Sequence, residues 1–389
     1  MKYEDLLHRC FRCGYCKLTD DYDDFNCPPH LKYRFESFSP GGRLWLTQAW
    51  LKGDVQTSER FEQILYSCTL CANCVKHCIF PFNDDIINIL VAAREAVVET
   101  GTLPPSVRDY FKALQVYGNP YKEPPEKRGD WARDLSVPIY DGQDYLLYIG
   151  CVGSYDERGQ KIARAVVRVL QKAGVSFGIL GREELCDGNE VQALGEAWLF
   201  ESLARKNMAL FKSRGVRKII TLDPHAFNAF SRDCRKLGAD WDVYHYTQIL
   251  AKKIDSLVPM MKACPATVVY HDPCYLGRHN GIYEAPRQIL AALPGISFME
   301  MAASRDNALC CGGGGGNFFT DILGGGKESS ARIRIAQARD AGADIVAVCC
   351  PQCAKMLEDA GKAEDPEQQL EILDIAELIA RGLHNDEMP

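Results

Sequence analysis

The chain has 389 residues, which exceeds one average domain and predicts two or three domains with real cores. Its 47% hydrophobic content excludes a disordered or fibrous protein, and a net charge of -7 argues against a nucleic-acid partner. The longest apolar run, residues 86–98, contains charged positions and is too short to span a bilayer, and the N-terminus has no apolar signal core. We therefore expect a soluble, cytoplasmic chain without a transmembrane segment of its own.

Cysteine is unusually frequent, with 18 residues. In a reducing compartment these thiols do not persist as disulfides, so metal or redox chemistry is the expected use. Eight of them lie between Cys10 and Cys78, and none occurs in the next 72 residues. This distribution predicts a separate cysteine-rich N-terminal domain.

The N-terminal domain is predicted to cover residues 1–117. Apolar residues at Ile86, Leu90, Ala93 and Val97 have helical spacing and predict a helix packed against the cysteine loops. Residues 118–142 are rich in proline, glycine and charge, which is typical of a linker.

Apolar β-rich runs then alternate with helical periodicity. The predicted elements before residue 262 are strands at 145–150, 176–180 and 218–222 and helices at 161–172 and 194–211. Those after residue 263 are strands at 267–271, 297–301 and 344–349 and helices at 286–293 and 329–341. The repetition predicts two tandem α/β domains, at residues 143–262 and 263–389.

The two halves can be aligned without a gap near their ends. Residues 215–226 then lie over residues 342–353, and Asp223 falls opposite Cys350. The first half keeps two cysteines of this pattern, Cys151 and Cys186, whereas the second half has five. The two repeats are therefore expected to differ in metal binding.

The eight N-terminal cysteines reproduce the two-cluster bacterial ferredoxin motif, with one stretched spacing. Each triplet supplies three thiolates from one short loop, and the fourth comes from the other motif. The predicted ligands are Cys10, Cys13, Cys16 and Cys78 for one [4Fe-4S] cubane, and Cys68, Cys71, Cys74 and Cys27 for the other. Zinc is the alternative, but zinc sites pair their cysteines and have no use for a third thiolate at this spacing.

The motif departs from the usual form at two points. Ten residues separate Cys16 from Cys27, and Ile79 rather than proline follows Cys78. Cys27 is therefore the least regular of the eight predicted ligands.

The second repeat contains another cysteine set. It comprises Cys274, Cys310, Cys311, Cys350 and Cys353. Two of these follow predicted strands, where open α/β sheets present their ligand crevice. Residues 312–316 are all glycine, which would let backbone N–H groups approach cluster sulfides. A phosphate-binding loop is the alternative, but Lys327 is followed by Glu328 where that motif needs serine or threonine.

Taken together, several motifs resemble the heterodisulfide-reductase-like iron–sulfur proteins. They are CFRCGYC, SPGGR, CTLCANC, YHDPCYLGR, CCGGGGG and CCPQC. The similarity spans nearly the whole chain and extends to the D-type subunit of heterodisulfide reductase, to glycolate oxidase iron–sulfur subunits and to the electron-transfer subunit of class II benzoyl-CoA reductase. It implies an α+β chain with a mainly helical two-cluster ferredoxin-like domain followed by a tandem pair of α/β CCG (cysteine-rich) domains.

In this family a complete CCG motif is taken to bind a noncubane [4Fe-4S] cluster through five cysteines. The resemblance places that cluster on the five cysteines of the second repeat. In the first repeat Asp187 and Asp223 replace two of the expected cysteines and Ala226 replaces a third. A cluster is not expected there, and Cys151 and Cys186 are either relics or, with the two aspartates, ligands of another metal.

The resulting hypothesis is an electron-transfer subunit of a cytoplasmic multi-subunit oxidoreductase. It would relay single electrons through two cubanes to or from the noncubane cluster. A flavoprotein, another iron–sulfur subunit, or both are the expected partners, because the chain has no recognisable flavin or nicotinamide loop. The alternative is a catalytic disulfide reductase acting on a thiol or disulfide substrate at the CCG cluster, with His271 as the candidate proton donor.

Overall fold

The computed structural model describes residues 1–364 and 370–383. Its N-terminal part is mainly helical, with short 3-10 turns between the helices. The helices are Pro28–Tyr33 (α1), Pro40–Leu51 (α2), Glu59–Tyr66 (α3), Asn73–His77 (α4), Ile86–Glu99 (α5) and Pro105–Tyr117 (α6). The apolar stripe of α5 is at most 2% exposed, and its first half packs on the cysteine loops as predicted, since Ile86 and Leu90 share a cluster with Cys10 and Cys74. Ala93 and Val97 pack in a neighbouring apolar cluster instead.

The rest of the described chain forms two parallel four-stranded sheets. The strands are Tyr145–Tyr148 (β1), Phe177–Gly178 (β2), Lys218–Thr221 (β3), Asp242–His245 (β4), Ala266–Tyr270 (β5), Ile296–Met299 (β6), Ile345–Val348 (β7) and Glu371–Asp374 (β8). The strand order is β2-β1-β3-β4 in the first sheet and β6-β5-β7-β8 in the second. The identical order confirms the tandem α/β organisation behind a helical N-terminal part.

Helices cover both sheets. Those of the first repeat are Gly150–Tyr155 (α7), Glu157–Lys172 (α8), Asn189–Ala193 (α9), Ala197–Ser213 (α10), Pro224–Asn228 (α11), Cys234–Lys236 (α12) and Tyr246–Leu257 (α13). A π-helical turn, Ala229–Asp233, joins α11 to α12. Those of the second repeat are Glu284–Ala292 (α14), Asn317–Thr320 (α15), Ser330–Asp340 (α16), Pro351–Glu364 (α17) and Ile375–Gly382 (α18).

The two repeats share one hydrophobic core. Buried residues of α8 and α13 belong to the same cluster as those of α14 and α18. Arg158 at the start of α8 adds an ion pair to Glu377 of α18 at 2.6 Å. The repeats are therefore packed face to face, which brings their strand ends together.

The segment predicted as a linker is partly structured. Residues Pro125–Ala132 form a 3-10 helix, and Trp131 in it is 3% exposed within the core of the repeats. Among the described residues, no helix combines the length and the apolar composition needed to cross a bilayer.

Candidate iron–sulfur centres

The first set of predicted thiols lines one cavity. Cys10, Cys13, Cys16 and Cys78 all border it, so the end of the second motif lies beside the first triplet. Gly41 faces the same space, and a Cβ atom there would lie 3.3 Å from the sulfur of Cys10. Burial raises the pKa of the Cys16 thiol to about 12.

The second set lies deeper in the N-terminal part. Cys27 directly precedes α1 and is 6% exposed. Burial raises its pKa to about 12, and the neighbouring Cys68 and Cys71 thiolates would add to the rise while Arg43 opposes it. Burial also raises the pKa of Cys74, and thiolates at Cys16, Cys68, Cys71 and Cys27 would raise it further. The structure thus brings Cys27 to the second triplet despite the stretched spacing.

Both N-terminal cysteine sets are suited to bind a metal cluster, whose iron atoms carry positive charge. Thiols held together in a poorly solvated place are stable as neutral groups when no metal is present, because their thiolates would repel one another. Iron supplies the compensating positive charge, and thiolates are its preferred ligands in iron–sulfur proteins.

The five cysteines of the second repeat form one buried cluster. Their sulfurs approach closely, with Cys274 3.8 Å from Cys310 and Cys353 3.4 Å from Cys311. Cys350 precedes α17, and its sulfur lies 3.5 Å from the backbone nitrogen of Cys353. The ends of β5 and β7 therefore position Cys274 and Cys350, whereas Cys310 and Cys311 lie in the loop before α15.

His271 faces the five-cysteine cluster. Its imidazole lies within 4.8 Å of the sulfurs of Cys311 and Cys353. Arg334 donates to Nδ1 at 3.3 Å, and Nε2 is buried without a hydrogen-bond partner. Burial, assisted by the charge of Arg334, lowers the pKa of His271 to about 3. A neutral ring this close to two thiols, with an unpartnered Nε2–H, fits a sulfide-rich cluster, which would accept this hydrogen bond.

The glycine run has two uses. Gly312 directs its backbone nitrogen at the sulfur of Cys310, at 3.4 Å, as expected for N–H groups that serve a cluster. Gly314 and Gly315 instead lie against the backbone of the second ferredoxin triplet, and a Cβ on Gly314 would lie 2.6 Å from the carbonyl oxygen of Thr69. This second use, in which the missing side chains allow two cysteine loops to touch, was not predicted from the sequence.

Polar side chains of the second repeat also bind the backbone of this ferredoxin loop. Arg278 donates to the carbonyl of Cys71 at 2.7 Å, and His279 donates to that of Leu70 at 2.8 Å. Asn317 donates to Gly314 at 3.2 Å and to Tyr66 at 3.3 Å. These contacts were not predicted, although Arg278 ends the YHDPCYLGR motif and His279 follows it directly.

Arg94 joins all three parts of the chain. Its guanidinium is fully buried and donates to five backbone carbonyls, which belong to Leu65, Tyr66, Cys68, Ala193 and Gly315. In the sequence, Arg94 lies within the apolar run 86–98, where its only predicted effect was to interrupt that run. A charged side chain with this many acceptors acts as a fixed joint between the cysteine loops.

Replacing Arg94 by methionine is expected to destabilise the protein strongly. The change leaves five buried carbonyls without their donor, and the expected loss is about 4 kcal/mol of unfolding free energy. Arg205→Met is the matched control, because Arg205 is an exposed helical residue paired with Glu201, and it should cost about 0.5 kcal/mol or less. Denaturant unfolding of both variants measures the difference, and equal losses would refute this role of Arg94.

The degenerate first repeat holds its two cysteines in a charged pocket. Both terminal Nη atoms of Arg128 lie 3.6 Å from the sulfur of Cys151, and Arg128 pairs with Glu184 at 3.1 Å. A hydrogen bond with Cys186 lowers the pKa of the Cys151 thiol. Within the described residues, no group of three potential metal donors includes Cys151 or Cys186. This geometry supports their interpretation as relics rather than as ligands.

A cleft leads to the five-cysteine cluster from the surface. It has a volume of about 580 Å³, and Cys311, Phe318 and Met356 line it together with Lys32 and Lys355. Its size lies within the range of small-molecule sites.

Comparisons with known proteins match this organisation. Residues 6–80 match the family described as 4Fe-4S dicluster domain, and residues 145–231 and 268–358 each match the family described as Cysteine-rich domain (CCG). A crystal structure of a hypothetical protein from Helicobacter pylori superposes on the whole chain and on 74% of its own chain, with a TM-score of 0.55 and 13% identity. That likeness concerns the fold alone.

Three curated relatives are also similar. The probable iron-sulfur-binding oxidoreductase FadF of Bacillus subtilis is 35% identical over 86% of this chain and 48% of its own length. The EtfAB:quinone oxidoreductase of Syntrophomonas wolfei is 33% identical over 82% of this chain and 47% of its own length. The chain thus spans about half the length of these two relatives.

The alignment with the third relative covers nearly all of both chains. It is the D-type subunit of the dihydromethanophenazine:CoB--CoM heterodisulfide reductase of Methanosarcina mazei, which is 34% identical over 97% of this chain and 94% of its own. The chain belongs to the heterodisulfide-reductase-like family of iron–sulfur oxidoreductase proteins, in which a 4Fe-4S dicluster domain precedes two cysteine-rich domains.

Proposed function

We propose that this chain relays single electrons between partner proteins of a multi-subunit oxidoreductase. Its domains would be residues 1–117 for the ferredoxin part, 118–142 for the connection, 143–262 for the degenerate repeat and 263–389 for the complete one. The N-terminal part would bind two [4Fe-4S] cubanes and the second repeat one noncubane [4Fe-4S] cluster, each through the cysteine sets given above. Clusters of this kind supply one-electron carriers.

The contact between Cys71 and Cys310 carries the proposal. Cys71 belongs to the second ferredoxin set, yet its side chain packs within the five-cysteine cluster and contacts Cys310. The two sulfurs belong to different predicted centres, so no intervening side chain separates the ligand shells. Cysteine loops held this tightly give an electron a short path between the N-terminal part and the second repeat.

The exposure of the N-terminal cysteines supports an entry point for electrons at the first cubane, the one predicted on Cys10, Cys13, Cys16 and Cys78. Cys13 is exposed, whereas Cys27, Cys71 and Cys74 are buried. Nearby in the sequence, Phe11 is 72% exposed, and Ile79 next to Cys78 is 62% exposed, which is unusual for large apolar side chains. A flavoprotein or another iron–sulfur subunit that docks here would reach the first cubane directly.

Iron content and low-temperature EPR spectra of anaerobically purified protein test the proposal. Two cubanes and one noncubane cluster predict about 12 iron atoms per chain and a third signal distinct from the cubane signals. About 8 iron atoms with cubane signals alone would refute the noncubane assignment and leave a ferredoxin-type relay.

The cleft at Cys311 favours one second candidate, a catalytic disulfide reductase. A thiol or disulfide substrate could reach the cluster edge through it, and the buried imidazole of His271 lies within 4.8 Å of the same sulfur. In the electron-relay function the third EPR signal should not respond to added thiols or disulfides. A response that Met356→Trp abolishes by filling the cleft would establish the catalytic function instead.

A further inference from the structure

The degenerate repeat touches the complete repeat at equivalent positions. Asp223 and Cys350 occupy the same place in the repeat alignment, just after β3 and β7. In the structure Asp223 Oδ1 lies 4.0 Å from the sulfur of Cys350. The first repeat therefore forms part of the wall around the centre of the second, although it has lost most of its own cysteines.

His225, two residues further on in the chain, is held by three contacts, two of them to its ring. Its Nδ1 lies 2.5 Å from Glu190 Oε1, and its backbone nitrogen donates to Asp223 at 2.8 Å. One face of the ring stacks on Tyr275, with a centroid distance of 4.0 Å. The ring has little freedom to rotate, because its Nδ1 edge and one of its faces are both occupied.

The remaining ring edge points to the cysteine. The imidazole, the Asp223 carboxylate and the Cys350 sulfur have polar atoms within 4.8 Å of one another, and all three residues are buried. The Nδ1 edge is taken by Glu190, so Nε2 is the atom available to Cys350. Glu190 is itself anchored, because its other oxygen accepts from the backbone nitrogen of Gly316.

We propose that His225 donates a hydrogen bond from Nε2 to the sulfur of Cys350 and thereby raises the reduction potential of the centre in the second repeat. The inference rests on the proposed function, because it requires a cluster on the five cysteines. An N–H group that donates to a ligand sulfur stabilises the electron-rich, reduced state of a cluster. His225 is then a positioning residue that the degenerate repeat contributes to its neighbour.

A pair of substitutions tests this role. His225→Leu keeps much of the volume but removes the donor, whereas the amide N–H of His225→Gln can occupy the Nε2 position. EPR-monitored redox titration should show a lower midpoint potential of the third signal in the leucine variant, with both cubane potentials unchanged. The glutamine variant should recover part of the shift. Asn207→Leu is the control, because Asn207 is a buried hydrogen-bond donor of the first repeat whose amide donates to the carbonyls of Cys186 and Leu203 instead.

Several outcomes would overturn the inference. They are a leucine variant with the wild-type potential, equal shifts in the leucine and glutamine variants, or nitrogen hyperfine coupling strong enough to show direct iron ligation by His225. If the leucine variant binds less iron, His225→Asn replaces it, because the shorter asparagine amide does not reach the Nε2 position. A higher potential in the glutamine variant than in the asparagine variant supports the donor role, and equal potentials refute it. Wild-type protein with only cubane signals would refute the proposed function itself, which separates the two failures.

Discussion

Replacing Cys310 by alanine is expected to lower the iron content from about 12 to about 8 atoms per chain and to abolish the third EPR signal. Cys310 lies at the middle of the buried five-cysteine cluster, 3.8 Å from Cys274 and against Cys71. The thiols in contact with it, Cys71, Cys274 and Cys311, are themselves predicted ligands and are not free to replace its thiolate. Both cubane signals should remain, since neither N-terminal set includes this residue.

The control for this variant is Cys234→Ala. Cys234 is 0% exposed, as deeply buried as the predicted ligands, but it packs in the apolar core of the first repeat. It should retain about 12 iron atoms and all three signals. Full iron content in the Cys310 variant would refute its role as a ligand, and a loss of all iron would show that the three centres do not assemble independently.

The sequence predicted the fold where long apolar strands and helices alternate. The strands β1, β3, β5 and β7 lie within the predicted runs or within one residue of them, because central strands buried on both faces are continuously apolar. The edge strands β4 and β8 were missed. They read DVYH and EILD, begin with exposed acidic residues and are partly solvated, so their composition does not differ from that of a loop.

The candidate site was predictable to the extent that it depends on spacing. Cysteine triplets at fixed intervals identify cluster loops because the geometry of a cubane demands them. The contacts between loops depend instead on the packing of three domains. Nothing local distinguishes Arg94 from a surface arginine or His225 from a structural histidine. Gly315 lies 221 residues from Arg94 in the sequence, and Glu190 lies 35 residues from His225.

The glycine run shows how one pattern can support an incomplete inference. Five consecutive glycines indicate that something approaches the backbone closely. The approach predicted from the sequence is that of cluster sulfides, which the position of Gly312 supports. The carbonyl groups of Cys68 and Thr69 are a second partner, which sequence alone cannot reveal because they lie in another domain.

Replacing Gly315 by alanine is accordingly expected to slow electron transfer into the second repeat by more than about tenfold. Gly315 has a φ of +63°, and a Cβ there would overlap the carbonyl oxygen of Cys68 and the backbone of Thr69. The strain and the overlap should cost about 3 kcal/mol of unfolding free energy and push the two cysteine loops apart. Rapid-freeze EPR after mixing with a reductant would follow the delay between the cubane signals and the third signal.

Gly325→Ala is the matched control, since a Cβ atom on Gly325 would have no neighbour within 4 Å and this glycine does not have a positive φ. It should leave both the rate and the stability at wild-type values. The Gly315 variant should still bind about 12 iron atoms, because no ligand is changed. Wild-type kinetics in the Gly315 variant would show that electrons do not cross at the Cys71–Cys310 contact. A delay of the third signal with intact cubane signals would locate the electron path at this junction, because the substitution alters the distance between the loops and none of the predicted cluster ligands.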